Sequence, residues 1–136
     1  MASEFHAYLK SNKMPPIDKI ARALSSRGWV FDFAGDKSLV ERKGNLGLTV
    51  DGRELGVDVK IADAASPAWK ELMAAAQTRG DGETLIKVLQ NTDLRITFTA
   101  DGDASTYARD VCRAAALLAL GAFENPEQGK LIYYGA

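Results

Sequence analysis

Four carboxylates, Asp32, Glu41, Glu54 and Asp58, fall on one face of a run of short strand-like segments once the turns between them are set, together with Thr49 and Lys60. Paired carboxylates do general acid/base work where burial drives their pKa values apart. On an open antiparallel sheet they are ordinary solvated charges, and that is the setting expected here. The same register places Gly47 opposite Gly56. Two glycines side by side in mid-strand leave a patch without side chains, which serves a bulge or strong twist, or the close approach of another backbone or a flat ring. As a docking surface this patch is Gly47 and Gly56, rimmed by Glu41, Thr49, Glu54 and Asp58.

Other chemistry is thinly represented. The single histidine, His6, gives no Cys/His cluster for zinc and only one place for the base of a nucleophilic triad; it is expected at the surface. Gly35-Asp36-Lys37-Ser38 and Gly129-Lys130-Leu131 echo the end of a phosphate-binding loop, but neither has the glycine five residues earlier that the loop needs. Gly44-Asn45-Leu46-Gly47 lacks the third glycine of a dinucleotide site and is expected in a hairpin. Arg79-Gly80-Asp81 spells an adhesion tripeptide but falls where a helix ends. No catalytic set, cofactor or metal is therefore expected. Trp29 opens a strand and Trp69 sits in the first turn of a helix, positions where an aromatic closes a core; an exposed one would anchor a protein interface.

The elements that must position these residues follow from periodicity. Ser3 is placed to cap a short helix carrying Phe5, Tyr8 and Leu9, which Pro15-Pro16 stops. Ile17, Ile20, Ala21 and Leu24 predict an amphipathic helix over 16–27, closed by Gly28. A meander then runs through strands near 29–33, 38–42, 46–50 and 54–61. Asp51-Gly52 is a two-residue hairpin signal that sets Val50 opposite Arg53 and Leu48 opposite Leu55. One apolar stripe, Phe31-Val40-Leu48-Leu55, is expected across the four strands. Ser66-Pro67 starts a helix over 66–79. Residues 83–90 suit a helix or a strand equally, and Leu94 to Ala100 alternates as a strand. Asp103 starts a long helix to about Phe123 whose apolar surface is wide enough to need cover on two sides, by the sheet and by either the N-terminal helix or another subunit. The tail Leu131 to Tyr134 is too apolar to hang free, so it is expected to add an edge strand or to reach a partner through Tyr133 and Tyr134.

The expected fold is one α+β domain over 1–136: an antiparallel meander of four or more strands with an N-terminal helix, a middle helix and a long C-terminal helix on one face. Residues 1–15 are a possible mobile segment and 124–136 a tail. With 83–90 as a strand, the order helix, strands, helix, hairpin, helix resembles the small dimeric chaperones of bacterial type III secretion. The resemblance lies in the order of elements alone, and it implies an escorted protein partner.

Composition narrows the function. The 136 residues are 46% hydrophobic and 26% charged, which is globular rather than disordered. Seventeen basic and eighteen acidic side chains leave a net charge of -1, so there is no long-range attraction for nucleic acid. The longest apolar run, 114–123, is about half of a membrane span. One cysteine, in an apolar helical pattern, fits a reducing, cytoplasmic setting. The expected function is a non-catalytic module that binds and neutralises or escorts another protein, as an immunity protein, inhibitor or chaperone does, with a homodimer through the last helix or the tail as a further expectation. The alternative is a small-molecule-binding or enzymatic domain that uses the sheet-face carboxylates.

Overall fold

The computed structural model describes residues 2–15, 17–33, 44–45, 48–50, 53–55, 58–80, 82–102 and 104–135. The fold is α+β and its strand pairings are antiparallel. The strands are β1 (Ala2–Leu9), β2 (Phe31–Phe33), β3 (Gly44–Asn45), β4 (Leu48–Val50), β5 (Arg53–Leu55), β6 (Asp58–Asp63), β7 (Leu94–Asp101), β8 (Ala122–Asn125) and β9 (Lys130–Tyr133). The helices are α1 (Ile17–Ala23), α2 (Pro67–Ala76), α3 (Gly82–Asn91) and α4 (Ala104–Leu118). Among the described residues the strands form one six-stranded sheet, in the order β3-β6-β7-β1-β8-β9, and one three-stranded sheet, β2-β4-β5.

Residues 2–9 overturn the expected short helix. Phe5, Tyr8 and Leu9 fit a helical spacing, but Phe5, Ala7 and Leu9 also fit a strand, and pairing on both sides decides between them. β1 runs along the whole of β7, from Ala2 opposite Asp101 to Leu9 opposite Leu94, and on its other side sets His6, Ala7 and Tyr8 against Glu124, Phe123 and Ala122. The expected helix over 16–27 is α1 followed by a 3-10 turn, Ser25–Arg27. Gly28, at φ 74°, donates its N–H to the Ser25 carbonyl there.

The meander is split between the two sheets. The hairpin register stands as expected, with Leu48 opposite Leu55 and Val50 opposite Arg53. β2 pairs directly with β4, with Phe31 opposite Val50; its expected partner Val40 lies outside the described residues. The predicted strand 38–42 lies outside the described residues. The predicted strand 54–61 is divided: β5 stays with β4, whereas β6 joins β7, with Ile61 opposite Ile96 and Val59 opposite Phe98.

The helices lie on both faces of the large sheet, not one. Phe5, Ala7, Leu9, Ile96, Phe98 and Phe123 pack with Ile20 and Leu24 of α1 and with Ala108, Val111, Cys112 and Ala115 of α4; Val50 of the small sheet joins this core. The opposite face, through Tyr8 and Ala122, packs with Trp69 and Ala76 of α2 and with Leu85, Val88 and Leu89 of α3. Residues 82–91 are thus a helix, and with β1 a strand the order shared with the secretion chaperones does not hold.

The last predicted helix ends early. After α4 the Gly121 N–H bonds to the Ala116 carbonyl and the Leu120 N–H to the Leu117 carbonyl, the paired bonds of a Schellman cap. Leu120 takes the left-handed position at φ 54°. Gly121 then passes so close to the Tyr8 carbonyl that any Cβ would overlap it. That approach lets 122–125 enter the sheet as β8 beside β1. The tail follows as the edge strand β9.

Candidate functional site

Two surfaces carry the features of a site, one on each side of the large sheet. On the α2–α3 side, strand register assembles two rows across the sheet. Thr97, His6, Glu124 and Leu131 form one, and Arg95, Tyr8, Ala122 and Tyr133 the next. His6 Nδ1 lies 2.8 Å from Thr97 Oγ1. The Tyr8 hydroxyl donates to Glu124 Oε1 at 2.8 Å, and Arg79, from the segment after α2, donates to Glu124 Oε2 at 2.5 Å. Glu124 is buried, whereas the Arg79 side chain is about one-third exposed.

This network fixes its own protonation. Burial, then the Glu124 carboxylate, hold the Tyr8 phenol far above its ordinary range, so it remains a donor. Burial lowers the His6 pKa, with Arg95 and Arg79 opposing the imidazolium more locally; Glu124 and Glu4 act the other way. His6 is therefore not the surface histidine expected from its position. It is a partly buried ring in the row of Thr97 and Glu124, and the sequence carried no local signal of this because the strands flanking it lie far along the chain.

On the α1–α4 side, a groove of about 210 Å³ lies between Ala23, Leu24 and Ser26 and the α4 residues Asp110, Arg113, Ala114, Leu117 and Leu118. Leu117 and Leu118, which line it, are 51% and 44% exposed; Leu120, 57% exposed, lines a separate hollow with Lys10, Lys13, Asn91, Thr92 and Tyr133. The wide apolar surface of this helix was legible in the sequence; α1 covers part of it and leaves these leucines open.

The expected docking residues are dispersed. Glu41, Gly47 and Gly56 lie outside the described residues. Thr49 stands between Asp32 and Glu54 in the small sheet, whereas Asp58 pairs with Thr99 in the large one. Asp32 and Asp58 thus stand in different sheets. Trp69 is buried between α2 and the sheet. Trp29 is half-buried, edge-on to Tyr107 with ring centroids 4.7 Å apart. Tyr133 and Tyr134 each pack partly against one of the two cores. Cys112 is fully buried in α4, and desolvation pushes its thiol up.

No family model, curated protein or solved structure matches the chain. Among the described residues no helix is long and apolar enough to cross a membrane, and no group of three or more His, Cys, Asp or Glu side chains could hold a metal ion.

Proposed function

We propose that the protein is a non-catalytic binding module that holds a protein partner, neutralising or escorting it, through the leucine surface at the end of α4. The observation that carries this is Leu120, an exposed leucine held at φ 54°. A left-handed Cβ residue costs roughly 1–2 kcal/mol, and glycine takes that place in most helix ends. A large apolar side chain kept in a strained backbone position, where burial repays little, fits a side chain used in recognition. Leu117 and Leu118, exposed just before it at the end of α4, line the groove. A groove of about 210 Å³ is below the size of a small-molecule pocket and suits one or two apolar side chains. Exposed Arg113 on its wall favours a partner with an acidic group beside those side chains.

The test compares the wild type with the double variant Leu117→Lys/Leu120→Lys, whose sites are exposed enough to spare the fold. Each tagged protein is passed through native lysate and the eluate is sized by light scattering. A stoichiometric heterologous partner held by the wild type and lost by the variant is expected. The reading is overturned if the variant retains that partner, if the wild type elutes alone as a monomer, or if it elutes as a homodimer that the variant splits.

A further inference from the structure

The α2–α3 side of the sheet holds a second feature, independent of the leucine surface and on the opposite face. Arg95 stands on β7 opposite Tyr8 and Ala62, one row from His6 and Thr97. Its Nε is buried and has no hydrogen-bond partner among the described residues. The nearby carboxylate is already committed, since one Glu124 oxygen accepts from Tyr8 and the other from Arg79. Neither Glu124 oxygen is thus given to Arg95, whose half-buried guanidinium has the Tyr8 phenol beside it and its Nε unpartnered. Withdrawing such a group from water without a counter-charge is costly. A buried donor left without a partner is a place where an ion or water from outside the chain can be taken up.

We propose that Arg95, with His6, Tyr8 and Thr97 around it, binds a small oxyanion, the carboxylate or phosphate group of a ligand. The planar guanidinium presents donors in a fork that matches two oxygens of either group. A neutral imidazole and a threonine hydroxyl, joined at 2.8 Å, stand one row away and supply further polar contact. Tyr8 stays protonated and adds no charge to repel the anion. Arg79 remains on Glu124, so the pairing that holds β8 in place is not disturbed on binding.

His6 is the one histidine in the chain, which makes its imidazole resonance an unambiguous reporter. The intact chain is titrated at constant ionic strength with sodium acetate, inorganic phosphate or sodium chloride while the His6 ring signals are followed by NMR. Acetate or phosphate is expected to move them saturably and chloride not to; Arg95→Gln is expected to weaken binding about tenfold or more, the loss of a charge-assisted hydrogen bond. A response to acetate alone assigns a carboxylate ligand, and to phosphate alone a phosphorylated one. No saturable response to either, the same response to chloride, or unchanged affinity in Arg95→Gln overturns the site. If Arg95→Gln does not fold, Arg95→Lys keeps the charge and removes the fork, and undiminished affinity in that variant overturns it equally.

Discussion

His6 occupies a strand position with neighbours on both sides, so its proton balance is set by the fold and not by bulk water. Arg95 and Arg79 disfavour the imidazolium from β7 and from the segment after α2, Glu124 and Glu4 favour it from β8 and β1, and burial outweighs them all. The folded pKa lies below the ordinary 6.5. Above that value both folded and unfolded chains are neutral at this site. As pH falls, the unfolded chain takes up a proton first, so stability present above about 6.5 is lost as pH drops through the folded pKa. Urea unfolding at pH 7.5 and pH 5 is expected to show a larger loss for the wild type than for His6→Gln. An equal loss in both would assign the pH dependence to the carboxylates instead.

At the scale of elements, the end of α4 sets strain against recognition. Leu120→Gly is expected to stabilise the protein by roughly 0.5–1 kcal/mol, because glycine accepts the left-handed conformation and the exposed side chain gives up little burial. Thermal unfolding measures this, and a loss of stability would mean that the leucine packs more than its exposure indicates. The same substitution is expected to weaken partner binding. What the sequence made legible at this scale was local. The Asp51-Gly52 signal and two residues on either side were enough for the β4–β5 register, and Ser66-Pro67 was enough for the start of α2. Strand β1 was not legible, since its apolar residues satisfy two periods and its partners are β7 and β8. The early stop of α4 was hidden for a similar reason: 119–123 is apolar enough to continue the helix, and only the approach of Gly121 to Tyr8 shows why it turns. The polar site inherited this blindness, because His6, Arg95 and Glu124 come from three strands that meet only in the folded sheet.

For the molecule as a whole, the large sheet is clamped between α1 and α4 on one face and α2 and α3 on the other, with β1 and β7 at its centre. Native-state hydrogen exchange is expected to find the slowest amides in β1 and β7, opening only with global unfolding, and faster exchange in the edge strand β9. Comparable protection in β9 would point to cover on that edge from a second chain. The central position of β1 also bears on how the protein is made. His6 meets Thr97 across 91 residues of chain and Tyr8 meets Glu124 across 116. During synthesis β1 emerges well before both of its partners, so its Phe5, Ala7 and Leu9 wait unpaired until β7 and then β8 have been made. Until then the nascent chain carries an unpaired apolar strand, the kind of exposed edge that long-range pairing leaves open to misassociation.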